Sequence, residues 1–147
     1  MITDVVLLDS GPLGLISHPR PATDIAVWLA GLLGSGIKVV IAEIADYEVR
    51  RELLRARKTK GLKRLDELRI TLGFTPITST VMIRAAEFWA EARHKGRPTS
   101  GDDSLDADVI LAAQAATMTG ARVVVASSNL KHLTRFVPAK RWHEISP

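Results

Sequence analysis

The sequence of 147 residues contains no cysteine. This absence excludes disulfide bonds and cysteine-ligated zinc, and it is weakly consistent with a reducing compartment. Long apolar runs are also missing: the longest lies around IAVWLAGLLG at 25–34, well short of the roughly 20 residues of a membrane span. No lysine or arginine precedes the first apolar stretch, unlike in a secretory signal. We therefore expect a cytoplasmic protein with no membrane association.

The composition indicates a single globular domain over residues 1–147. Hydrophobic residues make up 46% and charged residues 24%, which is close to the average for globular domains. The sequence shows no internal repeat, low-complexity tract or linker that would divide it. One hydrophobic core is therefore expected.

The net charge of +4 is unevenly distributed along the chain. Between Arg50 and Arg69, nine basic residues stand against three acidic ones, so the rest of the chain is slightly acidic. Such a basic segment suits a polyanionic partner, because each phosphate contact releases counterions. A solvated helix face with salt bridges explains the same segment equally well.

Apolar runs alternate with helical patterns along the chain. Helices are predicted at 22–33, 43–57, 62–72, from 79 or 80 toward 96, and at 105–120. Buried strands are predicted at 5–8, 37–42 and 122–126, a short strand at FTPI (74–77), and an edge strand at WHEI (142–145). Loops are predicted between Asp9 and Pro21 and at GRPTSGDDS (96–104). The alternation predicts an α/β fold with a mainly parallel central sheet covered on both faces.

Polar residues from four parts of the chain are expected at one edge of this sheet. Asp9 directly follows the first strand, and Asn129 lies just after the last buried strand. Glu48 lies in the helix after the second strand, and Asp106 and Asp108 lie near the start of the helix before the last buried strand. Open α/β sheets place their ligands at the carboxyl ends of the strands, so these side chains are predicted to meet there.

Each of these residues also has a local explanation. Asp9 can stabilise a turn, Glu48 can pair with Arg51, and Asn129 can cap a helix. Together, however, clustered carboxylates repel by roughly 1 kcal/mol in water and ~4 kcal/mol at an effective dielectric near 20. A cation should therefore hold them, and an all-oxygen ligand set suits Mg²⁺ or Mn²⁺.

Three other α/β classes with an acidic residue at a strand end are disfavoured. A haloacid-dehalogenase-type phosphatase needs a second aspartate where Gly11 stands, and a response-regulator receiver needs an acidic pair after the first strand. The third class is an enzyme with a nucleotide cofactor, and it is disfavoured because the segment GPLG is not a Gly-x-Gly-x-x-Gly dinucleotide loop.

With these residues in place, the chain resembles a PIN domain, and more narrowly the VapC-type toxin ribonucleases of bacterial and archaeal toxin–antitoxin pairs. The resemblance spans nearly the whole chain and depends on the order and spacing of its motifs. These are VVLLDSGPLGLI with Asp9, VVIAEIADYEVRREL with Glu48, DADVILAAQA with Asp108, and VVVASSNLKHL with Asn129.

The resemblance implies a three-layer α/β/α sandwich whose acidic residues bind Mg²⁺ or Mn²⁺ and cleave single-stranded RNA. Asp9, Glu48 and Asp108 match the acidic triad of the family, and Glu48 is preferred to Glu43 because it precedes an aliphatic residue inside the helix. Asn129 matches a fourth polar position that is often aspartate. Asp106 is an auxiliary candidate for the metal.

The resemblance also suggests substrate contacts and partners. Hydroxyl groups and cations near the acidic residues are candidates to contact RNA: Ser10, Ser127, Ser128, Arg50, Arg51 and Arg55. The family implies a homodimer and a small antitoxin protein that inserts into the active-site groove. Two alternatives remain open: a catalytically weak or inactive PIN-like module that binds nucleic acid or protein, which Asn129 keeps possible, and a nuclease of DNA or of RNA processing without an antitoxin.

Overall fold

A computed structural model describes residues 3–95, 102–130 and 132–147. Its strands are Val5–Leu8 (β1), Lys38–Ala42 (β2), Gly73–Thr75 (β3), Val123–Ser127 (β4) and Ala139–Arg141 (β5). Its α-helices are Ser10–Ser17 (α1), Thr23–Gly34 (α2), Glu43–Arg55 (α3), Thr59–Thr71 (α4), Ser79–His94 (α5) and Asp102–Ala116 (α6). Strands and helices alternate along the chain, so the α/β class predicted from the sequence is confirmed.

The sheet has the strand order β3-β2-β1-β4-β5, and every neighbouring pair is parallel. β1 is central: Val6 lies beside Val39 of β2 and Val124 of β4. Leu7 and Leu8 are completely buried, as expected for a parallel strand covered on both faces. The helices flank the sheet on both sides, which gives the predicted three-layer α/β/α architecture.

The chain reverses its direction of travel across the sheet between β1 and β4. It starts at β1, moves outward through β2 and β3, and then returns to β4 and β5 on the other side. The connections leaving the carboxyl ends of β1 and β4 therefore diverge. In open α/β sheets a crevice forms at this point, and ligands bind there.

The loop predicted between Asp9 and Pro21 is wrong for Ser10–Ser17, which form helix α1, whereas residues 18–22 lie in no helix or strand. Asp9 caps the helix: its Oδ1 accepts a hydrogen bond of 2.7 Å from the backbone N–H of Ser10. Pro12 lies in the first turn, where its missing N–H would have no partner within the helix. The Gly and Pro residues that suggested a loop are thus compatible with the start of a helix.

The predicted edge strand at WHEI is also wrong. Residues Trp142–Glu144 form a short 3-10 helix, and the edge strand is β5, just before it. Trp28 holds the segment in place by donating its Nε1–H to the carbonyl oxygen of Ile145 at 3.0 Å. Of the loop predicted at 96–104, residues 96–101 lie outside the described residues, and α6 begins at Asp102.

Across the described ranges, no helix has the length and apolar character required to cross a membrane.

Candidate active site

A cleft of about 250 Å³ opens where the carboxyl ends of β1 and β4 lie side by side. Three carboxylates that the sequence predicted for one site, those of Asp9, Glu48 and Asp108, all line it. The remaining lining residues are mostly small or polar: Ser10, Gly11, Arg51, Ala107, Ser127, Ser128 and Asn129. The fold therefore brings together the residue that follows β1, the start of α1, α3, α6, and the end of β4 with the segment after it.

Asp9 is fixed between a strand and a helix. Its backbone N–H donates to Ala126 of β4 at 2.9 Å, and its carbonyl oxygen accepts from Leu13 of α1 at 3.1 Å. Its Oδ1 accepts the N–H of Ser10, and its Oδ2 lies 2.7 Å from the Oγ of Ser127. Asp9 therefore has both roles considered from the sequence. Its side chain stabilises the turn at the start of α1, and its carboxylate also lines the cleft.

Ser127 is almost completely buried, with 1% of its surface exposed. Its Oγ lies within hydrogen-bonding distance of Asp9 Oδ2 and of the carbonyl oxygen of Asn129, at 2.7 and 2.8 Å, and it accepts the N–H of Asn129 at 3.1 Å. The single hydroxyl hydrogen serves one of the two oxygens at a time. This placement favours a role in orienting Asp9 and the Asn129 backbone, rather than direct contact with a substrate.

Gly11 allows α1 to approach the segment after β4. A Cβ built on Gly11 would lie 2.7 Å from the Cβ of Ser128 and 3.3 Å from its backbone nitrogen. These distances are too short for any side chain larger than hydrogen without a backbone shift. Gly11 and Ser128 therefore form one wall of the cleft by close packing.

The helices place Glu48 and Asp108 at the cleft and leave the alternative acids elsewhere. Glu43 accepts the N–H of Ile77 at 2.8 Å, so it anchors the connection between β3 and α5. Asp106 is exposed and lines a different, largely apolar depression beside Trp89. The choice of Glu48 over Glu43 agrees with this geometry, whereas the auxiliary metal role predicted for Asp106 does not.

Arg50 does not line the cleft, although a substrate contact was predicted for it. Its guanidinium binds both carboxylate oxygens of Asp46, at 2.9 and 3.2 Å, and Asp66 of α4 at 2.8 Å. Asp46 is 4% exposed, and its hydrogen bond is the main cause that raises the pKa of Arg50. Arg50 therefore links α3 to α4, and its positive charge is paired with the carboxylates of Asp46 and Asp66.

Arg51 and Arg55 lie along a second depression of about 460 Å³ that continues from the cleft. This groove shares Ser10, Glu48 and Arg51 with the cleft and extends past Arg55 to Lys58. Arg55 is exposed and pairs with Glu52 at 2.7 Å. The groove is thus lined by three cationic side chains, those of Arg51, Arg55 and Lys58, which outnumber its two carboxylates, those of Glu48 and Glu52.

Sequence reasoning missed Gln114, which is completely buried on α6. Its Oε1 accepts the N–H of Ile44 at 3.3 Å, and its Nε2 donates to the carbonyl oxygen of Thr75 at 2.7 Å. These bonds fix the start of α3, the helix that carries Glu48. A single amide within the apolar run LAAQAA was the available signal, because a polar side chain at such a position must find buried partners.

The cleft suits a hard divalent cation by the chemistry of its ligands. The side chains available are carboxylate, hydroxyl and amide oxygens, with no thiol or imidazole among the lining residues. Within residues 3–95, 102–130 and 132–147, no three His, Cys, Asp or Glu side chains lie close enough to form a ready-made ligand set. Mg²⁺ does not require one, because it is usually held by one or two carboxylates with water and substrate phosphate.

Comparison with known proteins gives matches in structure but not in sequence. No family model matches the chain, and no curated protein matches it. Among the solved structures that are similar over nearly their full length are FitAcB, VapBC2 and VapBC-1. FitAcB from Neisseria gonorrhoeae is 20% identical at a TM-score of 0.72, and covers 95% of this chain and 99% of its own.

The other two structures are VapBC complexes. VapBC2 from Rickettsia felis, bound to a DNA fragment from their promoter, is 16% identical at a TM-score of 0.71, and the match covers 94% of this chain and 98% of its own. VapBC-1 from nontypeable Haemophilus influenzae is 17% identical at the same TM-score of 0.71, covering 95% and 99%. At these identities the likeness concerns the fold, and the chain has the PIN-like α/β fold that its sequence motifs predicted.

Proposed function

We propose that this protein is a metal-dependent endoribonuclease that hydrolyses phosphodiester bonds in single-stranded RNA, and that it is the toxin of a toxin–antitoxin pair. One observation carries the proposal: Asp9, Glu48 and Asp108, which are far apart in the sequence, line one cleft at the switch point of a PIN-like sheet. The cationic groove beside the cleft supports a polyanionic substrate.

Asp9 and Asp108 are the proposed ligands of Mg²⁺ or Mn²⁺, with Glu48 as a third candidate. A cation bound there would lower the pKa of a water molecule and neutralise charge on the scissile phosphate. Ser127 and the N–H of Ser10 hold the Asp9 carboxylate in one orientation by hydrogen bonds of 2.7 Å each. Glu48 is proposed to accept a hydrogen bond from the attacking water and so align it with the phosphorus.

Substitution of Asp9 by asparagine tests the activity. Purified protein with Mg²⁺ or Mn²⁺ is expected to cleave a single-stranded RNA, and Asp9→Asn is expected to lower the rate by about 10²-fold or more, since it removes a ligand charge from the centre of the site. Cleavage is measured on a labelled oligonucleotide at matched protein concentration.

Asp24→Asn is a matched control. Asp24 lies in the first turn of α2, and its Oδ1 accepts the N–H of the next residue at 2.7 Å, as Asp9 Oδ1 does. It lies outside the cleft and the groove, so this variant should cleave at the wild-type rate. Absence of RNA cleavage by the wild type with either metal, or equal cleavage by Asp9→Asn, would refute the proposal; the latter result would identify a contaminating nuclease.

Calorimetric titration of Mn²⁺ separates the enzyme from a binding module without chemistry. The enzyme should bind Mn²⁺, and Asp108→Asn should weaken or abolish the signal. A protein that binds RNA but no Mn²⁺ would be a PIN-like binding module, the alternative that Asn129 leaves open.

The proposal further includes a homodimer and a small antitoxin protein as partner. The antitoxin is supported by the neighbours of similar fold, which are VapBC and FitAcB assemblies, and the homodimer is proposed from the family resemblance alone.

A further inference from the structure

Tyr47 is the only tyrosine of the chain, and 56% of its surface is exposed. It precedes Glu48 on α3, and the Cζ of Arg51 lies over its ring, 5.1 Å from the centroid. The Tyr47 side chain is also the largest cause that raises the pKa of Arg51. The aromatic ring and the guanidinium therefore form one ordered unit on the surface, one helical turn apart.

Arg51 lies where the cleft meets the groove, and the Tyr47 ring lies against Arg51 without itself lining either depression. Arg51 lines both depressions. Glu48, which directly follows Tyr47 on α3, lines both as well. Beyond Arg51 the groove continues to Arg55 and Lys58. A strand that follows the cationic side chains toward the carboxylates therefore passes Arg51, and the exposed ring of Tyr47 lies against that side chain.

We propose that Tyr47 and Arg51 form a nucleotide platform at the entrance of the cleft, on which the Tyr47 ring stacks a base of single-stranded RNA and Arg51 contacts an adjacent phosphate. The inference rests on the proposed function and specifies how its substrate is held. Single strands are bound by this combination of aromatic faces and cationic grooves, and stacking is tolerant of base identity. A hydroxyl-bearing ring that is packed on an arginine loses little conformational freedom on binding.

Binding is measured separately from cleavage in an Asp9→Asn background, by fluorescence anisotropy of a labelled ten-nucleotide RNA. Tyr47→Ala is expected to raise Kd by about tenfold, the range found when a stacking aromatic is removed. Tyr47→Phe retains the ring and loses only the hydroxyl, so its Kd should stay within about twofold. Leu54→Ala is the matched control, because Leu54 lies on the same helix with 57% exposure and, like Tyr47, lines neither depression, so the two positions differ in the aromatic contact with Arg51.

An abasic scan identifies the stacked base. Each nucleotide of the RNA is replaced in turn by an abasic one. At one or two positions the replacement should weaken binding to the parent but not to Tyr47→Ala, because the ring and the missing base belong to the same contact. An unchanged Kd for Tyr47→Ala would overturn the inference, as would an equal loss at every position, which would indicate a structural effect or a contact with a protein partner.

The two proposals fail in different ways. If the wild type cleaves RNA but Tyr47→Ala binds it as tightly as the parent, the platform is refuted and the nuclease stands. If RNA binding depends on Tyr47, and Tyr47→Ala removes the effect of one or two abasic replacements, but no metal supports cleavage, the platform stands and the nuclease is refuted.

Discussion

Replacement of Gly11 by alanine tests the close packing that forms one wall of the cleft. Gly11 lies in the first turn of α1, where alanine would ordinarily favour the helix by about 0.5–1 kcal/mol over glycine. The structure predicts the opposite sign, because the new Cβ would lie 2.7 Å from Ser128 Cβ. A Cβ cannot rotate away, so relief requires a shift of α1 or of the backbone after β4.

Overpacking of this kind costs about 1–3 kcal/mol. After the helix propensity of alanine is subtracted, Gly11→Ala should lower the free energy of unfolding by about 1 kcal/mol, and by at most about 2.5 kcal/mol. For a chain of 147 residues, the unfolding entropy is roughly 0.3 kcal/mol/K, so Tm should fall by about 3 °C, and by at most about 8 °C. Urea denaturation followed by circular dichroism and a thermal scan measure the two quantities.

Two further variants make the prediction sharp. Gly14→Ala lies on the same helix, and its Cβ would meet only Val49 Cγ2 at an ordinary 3.9 Å, so it should stabilise the protein by about 0.5–1 kcal/mol. Combining Gly11→Ala with Ser128→Gly removes the obstructing Ser128 Cβ and should recover most of the lost stability, because only the 3.3 Å contact with the Ser128 backbone nitrogen remains. If Gly11→Ala stabilises the protein, or if Ser128→Gly gives no rescue, the described contact between α1 and the segment after β4 is wrong.

Two buried polar contacts provide further predictions of stability. Gln114→Leu should destabilise the protein by about 2–4 kcal/mol in urea denaturation, because the N–H of Ile44 and the carbonyl of Thr75 lose their partner in the interior; a loss below about 0.5 kcal/mol would show that both groups find other partners. Asp46→Asn should cost about 1–3 kcal/mol, since it removes the charge that Arg50 binds with two hydrogen bonds, and unchanged stability would contradict the structural role of Arg50.

The central part of the fold could be predicted from the sequence, because buried parallel strands are continuous apolar runs. Val5–Leu8 was predicted with its bounds, and β2 and β4 within one residue at each end. Helix α1 was missed because its composition, with two glycines and a proline in eight residues, argues against a helix. The Asp9 cap is a local contact that the sequence also allowed as a turn. The burial of Leu13 and Ile16 and the close approach to Ser128 are tertiary features that no local pattern contains.

The carboxylates of the cleft could be placed together because strand ends and topology fix where they lie. Asp9 follows the strand beside the switch point, so its position depends only on the strand order. Asp106 and Asp108 are harder to separate, because a difference of two residues turns a helical side chain by about 200°. The sequence motif selected Asp108, and the structure places Asp106 in another depression.

The rotation of side chains around a helix also explains why a count of the basic residues between Arg50 and Arg69 overestimates the charge that is available to a polyanion. Arg50 and Arg51 are adjacent in sequence, but about 100° of helical rotation separates them. One binds Asp46 and Asp66 inside the α3–α4 contact, and the other lines the cleft. Arg69 is likewise drawn to Asp46, at 4.0 Å, and lies over the ring of Phe74. A count of charges along the sequence cannot make this division, because it depends on which side of each helix faces the sheet.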